Sequence, residues 1–412
     1  MKVCVVGLGY IGLPTASVLA NSGHEVIGID VNRRIVELIN KGQIHIEEKG
    51  LKTLFGAAVN SGNLTAQLKP TKADAFILAV PTPERDHRSD LECLRNAATS
   101  ITPYLQRGNL VIVESTIPPG ATENVVLPAL AAAKLTPGED YFVAHCPERV
   151  LPGSILKELI ENDRIIGGLT PACATRAETL YRTFVQGRIE LCDLRTAEMV
   201  KLVENSYRDV NVAFANTVSN VAVHLGVSSA RVIALANMHP RVNILQPGPG
   251  VGGHCIPIDP WFLIETAGGK AELLRAARRV NDERPKIMAA TLRRMIGRAK
   301  HPKVAVLGVS YKGDVDDTRL APALPVIERL EKHGVQVAVY DPHVKQFGKD
   351  LVNLEEALRD ADAAAILAGH SDFKYLAPER VGRLMRARRL LDPFGIVERA
   401  AWEAAGFTVE ML

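Results

Sequence analysis

Clustered charge, paired cysteines and long apolar runs are all missing from this chain. No Lys/Arg run accompanies the net charge of +3, which argues against a nucleic-acid partner. The six cysteines are scattered without a CxxC pair, so the sequence predicts neither a disulfide scaffold nor a structural zinc site. No apolar run is long enough to span a bilayer. We therefore expect no nucleic acid, no membrane and no metal ion as partners.

The N-terminal segment MKVCVVGLGYIGLP could be taken for an export signal, because one lysine precedes an apolar run. Its glycines and its continuation into a strand-helix-strand pattern argue against a signal peptide. Scattered cysteines are typical of a reduced intracellular protein. We therefore expect a cytoplasmic protein, folded into two or three domains over its 412 residues.

The first motif is GxGxxG, placed between a predicted strand at residues 2–6 and an apolar helix. In this context Gly7 permits the tight turn, Gly9 lets a pyrophosphate approach the backbone, and Gly12 allows close helix packing. The next predicted strand, residues 25–29, ends in Asp30, whose carboxylate suits the ribose hydroxyls of NAD and repels the 2′-phosphate of NADP. Arg34 lies close enough to Asp30 in the sequence to weaken this preference for NAD over NADP. The sequence predicts NAD as the cofactor.

Polar residues follow the next predicted strands, residues 75–80, 110–114 and 141–145. Ligands bind at the carboxyl ends of strands in open α/β sheets, which makes Thr82 and Thr116 cofactor candidates. Either threonine could equally be an ordinary helix cap. The pair Glu148-Arg149 lies in a Pro-bounded loop at the same edge, where contact with substrate and plain surface exposure are equally plausible.

A long helix is predicted at residues 195–225, and it carries a polar stripe of Lys201, Asn205 and Arg208. Such a stripe is usually the solvated face of an amphipathic helix. The following segment, however, leads through His239 and Arg241 into the loop GPGVGGHCIPIDPW. We expect the stripe and the arginine to reach the same pocket as this loop.

The loop GPGVGGHCIPIDPW has a composition that no ordinary structural role explains. Its glycines allow a ligand to approach the backbone closely, and they lead to one thiol, Cys255, with Asp259 four residues later. Taken alone, a buried cysteine in a Gly/Pro loop is usually inert. The dinucleotide motif and the polar helix favour a catalytic thiol instead.

A second set of alternating strands and helices begins near residue 303 and lacks its own GxGxxG. The predicted fold is therefore α/β, with two Rossmann-like doubly wound domains joined by a long central helix. We expect an NAD-binding domain at residues 1–194, a helical region at 195–300, and a second domain at 301–412 that binds another ligand or lines the far side of the pocket.

Together, the dinucleotide motif, the polar helix stripe and the Cys255 loop suggest oxidation of an alcohol to an acid with reduction of two NAD. A thiolate can attack an aldehyde and carry it to a thioester, which water hydrolyses. Lys201 would lower the thiol pKa and stabilise the oxyanion, and Asp259 or Glu148 would act as base through a water. The arginines suit a phosphorylated substrate, because guanidinium groups hold phosphate oxygens in pairs.

Seven motifs in order carry a resemblance over nearly the whole chain: GLGYIGLP, VPTP, ESTIPPG, CPERVLPG, KLVENSYRDVNVAFAN, HPRVNILQPGPGVGGHCIPIDPWF and GVSYKGDVDDTR. The sequence resembles the UDP-glucose/GDP-mannose dehydrogenase superfamily. The resemblance implies a four-electron oxidation of a sugar C6 hydroxyl, here of UDP-N-acetyl-D-mannosamine to its uronate for surface polysaccharide. It also implies that residues 195–300 are a dimerisation region, which forms a homodimer through the central helix, and that residues 301–412 are a nucleotide-sugar-binding domain.

The resemblance also assigns roles to matching positions. It implies that Cys255 is the nucleophile, that Lys201 and Asn205 hold the reacting oxygen or water, and that Asp259 assists. The positions implied to contact substrate are Arg149, Val150, Arg208, His239, Arg241, Gly252, Tyr311 and Lys312. Those implied to contact NAD are Tyr10, Ile11, Asp30, Thr82, Thr116 and Arg319.

Two departures from the UDP-glucose enzymes of this superfamily bear on the substrate. Those enzymes resemble PEFLREG where this chain has PERVLPG, so Pro152 replaces their second glutamate. They also typically have a lysine where this chain has Ile258. Both changes favour an N-acetylated sugar, but they do not separate the manno from the gluco epimer, so UDP-N-acetyl-D-glucosamine is the alternative substrate.

Two other functions compete with this interpretation. A zinc alcohol dehydrogenase would use His145, Cys146, His254 and Cys255, but adjacent His-Cys pairs cannot easily point two ligands at one metal. A non-catalytic sensor of NAD or nucleotide sugar could use the same fold. The presence of both Lys201 and Cys255 argues against the sensor.

Overall fold

The computed structural model describes residues 1–151 and 153–411 and falls into two units. The first unit comprises Met1–Glu204 with Trp261–Gly268, and the second comprises Asn205–Pro260 with Gly269–Leu412. None of the helices in the described ranges combines the length and the hydropathy of a bilayer-spanning segment.

The first unit is built on an eight-stranded sheet whose central strands are short apolar runs, buried on both faces as is typical of parallel sheets. The strands up to residue 193 are β1 Lys2–Val6, β2 Glu25–Ile29, β3 Leu64–Gln67, β4 Ala75–Leu78, β5 Glu84–Arg85, β6 Arg88–Ser89, β7 Leu110–Val113, β8 Phe142–His145, β9 Arg164–Gly168 and β10 Ile189–Asp193. The sheet order is β10-β9-β8-β7-β4-β1-β2-β3, and β5 with β6 forms a separate hairpin. Only the β8–β9 pair of this sheet is antiparallel among the described residues.

Helices cover both faces of this sheet and enclose two apolar clusters, one on each side. They are α1 Gly12–Asn21, α2 Arg33–Asn40, α3 Leu51–Asn60, α4 Glu92–Ile101, α5 Leu127–Leu130, α6 Ile155–Glu161 and α7 Pro171–Tyr181. The chain runs outward from β1 to β2 and β3 and then crosses over to β4 on the other side of β1, so the strand order reverses at β1. This switch point is where open α/β sheets bind ligands.

The predicted long helix is α8, Leu194–Leu225, which has 32 residues. It is followed by α9 Ser229–Ala236, α10 Asp259–Thr266 and α11 Glu272–Ile296. The Cys255 loop lies between α9 and α10.

The second unit carries a five-stranded parallel sheet in the order β12-β11-β13-β14-β15. Its strands are β11 Lys303–Leu307, β12 Gln336–Tyr340, β13 Ala363–Ile366, β14 Arg389–Leu391 and β15 Thr408–Glu410. The helices are α12 Ala323–Lys332, α13 Leu354–Leu358, α14 Pro378–Leu384 and α15 Arg399–Ala404. The predicted fold class, two doubly wound α/β domains with a long central helix, is confirmed. The division at residues 194 and 300 stays a prediction.

Candidate active site

The Gly7-Gly9-Gly12 loop at the end of β1 has the shape that a dinucleotide requires. Gly7 has φ of +92°, and a Cβ there would lie 2.4 Å from the Ala79 carbonyl oxygen. A Cβ on Gly12 would lie 1.8 Å from the Gly7 oxygen, so α1 can start this close to β1 only with glycine. A Cβ on Gly9 would meet nothing within 4 Å, which leaves that side of the loop open to a pyrophosphate at the N-terminus of α1.

Asp30 is positioned by backbone amides from both sides. Its carboxylate accepts hydrogen bonds from the Leu8 amide at 3.1 Å and the Asn32 amide at 2.8 Å. The acid that suits a ribose is thereby fixed beside the glycine loop. Asn32 also caps α2 by accepting from the Arg34 amide. Three other cofactor candidates sit on accessible positions: Tyr10 and Arg34 are exposed, and Ile11 is half-buried.

Thr82 and Thr116, predicted from separate strands, are brought together at the same sheet edge. The Thr82 hydroxyl donates to the Thr116 carbonyl oxygen at 2.6 Å. Ser115 accepts from the Val80 amide at 2.9 Å and donates to the Val80 oxygen at 2.7 Å, which locks the ends of β4 and β7 to each other. Neither threonine caps a helix here, which favours the cofactor role over the alternative.

The β5–β6 hairpin directly after Thr82 was not predicted. Its turn residues Asp86 and His87 both have positive φ, at 51° and 63°. The His87 ring stacks on the Trp261 ring of α10 with centroids 3.8 Å apart, and the Ser89 amide donates to the Glu265 carboxylate at 2.9 Å. These two contacts fix the hairpin on α10.

Glu148 and Arg149 lie in the loop after β8 and face different surroundings. Glu148 is buried, and its carboxylate accepts from the Arg149 amide at 2.7 Å. The Arg149 side chain pairs with Glu204 of α8 at 2.5 Å, so a substrate contact by this arginine requires exchange of that partner. Val150 packs against the core of the first unit, and Pro152 lies outside the described residues.

In the second unit, two hydrogen bonds fix the start of the Cys255 loop. The Gly248 amide donates to the Asn216 side-chain oxygen at 2.9 Å, and the Gly248 oxygen accepts from Arg284 Nε at 2.8 Å. Arg284 is fully buried in α11, and burial lowers its pKa to about 10. The Arg284 guanidinium therefore donates its hydrogen bonds to neutral backbone and amide oxygens.

Gly252 and Gly253 bring the loop against the segment after β11. A Cβ on Gly252 would lie 2.7 Å from the Leu320 oxygen and 2.8 Å from Tyr311 Cβ, so no other residue fits without a backbone shift. The Gly253 amide donates to the Arg319 oxygen at 2.9 Å. The two motifs predicted at residues 248–261 and 308–319 are thus in contact.

The half-buried thiol of Cys255 is followed by a tight turn into α10, which begins at Asp259. The Asp259 amide donates to the Cys255 oxygen at 2.8 Å, and the buried Asp259 carboxylate accepts from Asn205 Nδ2 at 2.6 Å. Asn205 of α8 is therefore fixed next to the turn that presents the thiol. Lys201, half-buried, precedes Asn205 by one helical turn on α8.

The pKa of Tyr311 shows that several charged groups of this unit lie near its side chain. Burial raises the pKa of the Tyr311 hydroxyl, the Asp317 charge adds to the rise, and the charge of Arg208 opposes it. Cys255 also acts on Tyr311, so the thiol and Arg208 both lie within electrostatic range of this tyrosine. Asp317 itself pairs with Arg319, whose Nε lies 3.0 Å from both carboxylate oxygens.

Three other substrate candidates lie in exposed positions. His239 and Arg241 follow α9, where His239 Nδ1 accepts from the Arg241 amide at 3.3 Å. Lys312 is exposed beside Tyr311, and its carbonyl oxygen accepts from the Ser310 hydroxyl at 2.6 Å. The structure leaves their predicted contacts with substrate as predictions.

The second domain repeats the loop geometry of the first without its sequence motif. Gly308 follows β11 with φ of +88°, and the Val309 amide donates to the Asp341 carboxylate at 2.7 Å. This arrangement matches that of Leu8 with Asp30 in the first unit. The shared signal was a strand ending in glycine followed by a strand ending in aspartate.

One group in the described part of the chain has the spacing of a metal site: Asp314, His343 and His370. His370 is fully buried; its Nδ1 accepts from the Asp314 amide at 2.9 Å and its Nε2 lies 3.0 Å from the Asp341 carboxylate. Both ring nitrogens are therefore engaged within the protein. The cluster is better described as a hydrogen-bond network that ties the ends of β11, β12 and β13.

The zinc alternative from the sequence gains no support from His145 and Cys146. Both are fully buried, and burial lowers the pKa of His145 to about 3 and raises that of Cys146 to about 11. A thiol held in its protonated form is a poor zinc ligand.

Sequence reasoning missed two buried polar networks. In the first unit Arg164 lies between Glu148 and Tyr181, and Tyr181 binds Glu114. The second unit has a chain of polar side chains behind the Cys255 loop: Asp209, Asn216, Arg278, Asn281 and Arg284. Polar residues at apolar helix and strand positions were the available signal.

Comparison with known proteins matches three family models in order along the chain. They are the NAD binding domain (residues 1–185), the central domain (195–283) and the UDP binding domain (305–399) of the UDP-glucose/GDP-mannose dehydrogenase family. The first model agrees with the glycine loop and Asp30 geometry, and the cofactor is NAD.

Similar proteins match over the full chain. A UDP-N-acetyl-D-mannosamine dehydrogenase of Methanocaldococcus jannaschii is 48% identical over 100% of this chain and 96% of its own length. An NDP-N-acetyl-D-galactosaminuronic acid dehydrogenase of Ralstonia nicotianae is 47% identical over 96% of both. The solved UDP-D-ManNAc dehydrogenase of Pyrococcus horikoshii superposes with a TM-score of 0.93 at 41% identity, covering 100% of this chain and 99% of that one. This chain belongs to the UDP-glucose/GDP-mannose dehydrogenase family.

Proposed function

We propose that this protein oxidises the C6 hydroxyl of UDP-N-acetyl-D-mannosamine to the carboxylate of UDP-N-acetyl-D-mannosaminuronate, for surface polysaccharide. The observation that carries the proposal is the Cys255 turn, with Asp259 and Asn205 hydrogen-bonded beside the thiol. A sensor has no need of a thiol presented by a turn that a buried acid and a buried amide hold in place. The similar proteins with mannosamine names support the choice of sugar.

The first oxidation removes a proton and a hydride from the C6 alcohol to give an aldehyde. NAD, held by the glycine loop and Asp30, supplies the acceptor for each hydride. The chain must take the alcohol proton, and Glu148 or Asp259 does so through a water. Lys201 and Asn205 hold the reacting oxygen and stabilise negative charge as it develops.

The second oxidation is assigned to the thiol. The Cys255 thiolate adds to the aldehyde carbon, forming a C–S bond and a thiohemiacetal whose oxygen Lys201 and Asn205 stabilise. Loss of a second hydride gives a thioester. Water then breaks the C–S bond, releasing the carboxylate and restoring the thiol. Two NAD are reduced for each sugar, which balances the four electrons removed from carbon.

The diphosphate and the sugar require cationic side chains. Arg208, His239, Arg241, Arg149 and Lys312 are the candidates, with Val150, Gly252 and Tyr311 lining the sugar. Guanidinium groups hold phosphate oxygens in pairs, and Arg208 lies within electrostatic range of Tyr311, as Cys255 does. Arg319, joined to the Cys255 loop through its backbone oxygen, is assigned to NAD.

An N-acetylated sugar fits the two sequence departures, at Pro152 and Ile258, from the UDP-glucose enzymes. These two departures do not determine which epimer of the N-acetylated sugar is the substrate. UDP-N-acetyl-D-glucosamine is the alternative, and the 47% identical galactosaminuronic acid dehydrogenase adds the galacto epimer as a candidate.

A substrate panel tests the proposal. Purified protein with NAD is given UDP-N-acetylmannosamine, UDP-N-acetylglucosamine, UDP-N-acetylgalactosamine, UDP-glucose or GDP-mannose, and NADH is followed by absorbance. We expect kcat/KM for the mannosamine substrate to exceed the others by about tenfold or more, because a misplaced polar group leaves buried partners unpaired at about 1–3 kcal/mol. Faster turnover of another epimer would reassign the substrate. Binding of NAD and sugar without NADH would establish the sensor.

We also propose that the protein is a cytoplasmic homodimer. The scattered cysteines support a reducing compartment. An apolar stripe on α8 supports the dimer: Met199, Val203, Tyr207, Phe214, Val221 and Leu225 are all between 44% and 69% exposed. Their spacing of four or seven residues keeps them on one helix face. A second copy offers the same stripe, and two-fold pairing of one helix with its equivalent covers both.

The dimer is tested by placing charge on the stripe. Phe214→Asp should sediment as a monomer of 44.7 kDa, because a carboxylate buried between two apolar helices costs several kcal/mol. Tyr375→Asp, at an 85% exposed position outside the stripe, should behave like wild type and sediment at twice that mass. A monomeric wild-type protein would contradict the proposal.

A further inference from the structure

Arg164, at the start of β9, is the cation that meets the candidate base Glu148. Both side chains are buried, with 6% and 8% of their surface exposed, and Arg164 Nη2 lies 3.4 Å from Glu148 Oε2. The guanidinium also contacts Cys146 Sγ at 3.6 Å and the Leu159 oxygen at 3.4 Å. Its central carbon lies 5.0 Å from the centre of the Tyr181 ring. The arginine is thus held on several sides while it contacts the carboxylate.

A second buried carboxyl, Glu114, belongs to the same network. Its oxygens accept from the Tyr181 hydroxyl at 2.5 Å and the Thr15 hydroxyl at 3.4 Å. Burial raises the pKa of Glu114 to about 7, and the charge of Glu148 adds to the rise. One buried cation therefore serves two buried carboxyls. Arg164 contacts Glu148 directly and acts on Glu114 through its charge, and Glu114 holds a proton up to about neutral pH.

Glu148 lines a small cleft of the first unit. The charged residues lining that cleft are Arg149, Glu158, Asp163 and Arg164. Arg149 is paired with Glu204, and Glu158 accepts from the Leu151 amide. Arg164 is consequently the buried cation that faces the Glu148 carboxylate from the adjacent strand.

We propose that Arg164 is a positioning residue for turnover: its guanidinium holds the Glu148 carboxylate in place and in its charged form, and so sets the lower pH limit of the reaction. This inference rests on the proposed function, and it assigns to Glu148 the base role that is shared there between Glu148 and Asp259. A base works only while it is ionised, so activity falls as the pH drops through its pKa. Without the nearby cation, a buried carboxylate gains its proton at higher pH.

The pH profile of kcat/KM for wild type, Arg164→Met and Arg164→Lys tests the role. In Arg164→Met we expect the acidic limb to move up by about one to two pH units, with a rate loss of about 10- to 100-fold near pH 7 that recovers in alkaline buffer. Arg164→Lys keeps the charge but loses the planar fork, so its limb should stay near that of wild type while the rate falls less. Glu148→Gln should lose rate at all pH values.

Two further variants separate positioning from a general disturbance of the core. Glu114→Gln alters the same network but keeps an acceptor for Tyr181, and its acidic limb should not move upward. Combining Arg164→Lys with Glu148→Gln should cause no loss beyond that of Glu148→Gln, because the arginine acts through the glutamate. Arg164→Lys and Glu148→Gln both nearly conserve side-chain volume. Their combination therefore still tests the positioning role if Arg164→Met does not fold.

The outcomes separate the proposed function of the protein from the positioning role of Arg164. Wild-type protein that reduces NAD with none of the nucleotide sugars would refute the proposed function. Wild-type turnover combined with an Arg164→Met rate lowered equally at every pH would refute the positioning role alone. An additive loss in the double variant would refute it as well.

Discussion

Replacing Cys255 by serine is expected to lower NADH formation by at least about 10³-fold, since a serine hydroxyl is a far weaker nucleophile than a thiolate and the covalent route is lost. The loop geometry fixes the backbone that carries this side chain, because Gly252 cannot accept a Cβ and the Asp259 amide closes the turn onto the Cys255 oxygen. Rates are measured by NADH absorbance. Acid-quenched wild-type samples are analysed by mass spectrometry for a sugar adduct on the Cys255 peptide.

Cys93 provides the matched control for this substitution. It is an exposed cysteine on α4, outside every site described above, and Cys93→Ser should turn over at the wild-type rate. A Cys255→Ser variant that forms two NADH per sugar at an unchanged rate would refute the covalent step. Absence of the adduct from wild-type samples under single-turnover conditions would weigh equally against it.

Replacing Asp259 by alanine is expected to lower kcat by about 10²- to 10³-fold. Asp259 accepts the hydrogen bond of Asn205 at 2.6 Å, both side chains are buried, and the backbone of Asp259 closes the turn after Cys255. Without the carboxylate the buried amide of Asn205 loses its acceptor, at about 1–3 kcal/mol, and no longer holds the reacting oxygen in place. Steady-state kinetics measure kcat and KM separately, and KM should change less than kcat.

Asp259→Asn separates charge from position, because an asparagine can still accept from Asn205. Recovery of most of the rate in this variant would assign Asp259 to positioning, and no recovery would assign it to proton transfer. Glu265→Gln on the same helix is the control for helix stability, since Glu265 lies at the exposed end of α10. A double variant with Asn205→Ala should be no worse than the poorer single variant. Wild-type activity in Asp259→Ala would remove both residues from the mechanism.

Local motifs were predictable because their function and their geometry lie in one short stretch. Gly7, Gly9 and Gly12 sit within six residues, and the structure gives each the turn, the open side or the close approach that the spacing implied. Asp30 could be predicted from the end of the next strand. The long helix at residues 195–225 followed from unbroken periodicity and differs from α8 by one residue.

Residues that act through tertiary contacts left no such local signal. Arg164 and Glu148 are 16 residues apart in the chain, and Tyr181 and Glu114 are 67 apart. Taken alone in the sequence, each of these residues is typical of a surface or a core position. Only the packed sheet shows that the charge of Arg164 acts on the carboxyls of both Glu148 and Glu114. The β5–β6 hairpin escaped detection because its turn uses Asp86 and His87 at positive φ, where Asn-Gly would have been the usual signal.

The central claim is that the Cys255 thiol captures the aldehyde formed by the first oxidation and holds it through the second, so that no aldehyde is released. Its most direct test is the ratio of NADH formed to UDP-N-acetylmannosamine consumed by wild-type protein under limiting sugar, with a carbonyl trap present to capture any released aldehyde. We predict two NADH per sugar and no trapped aldehyde. One NADH per sugar, with the aldehyde recovered on the trap, would contradict the account.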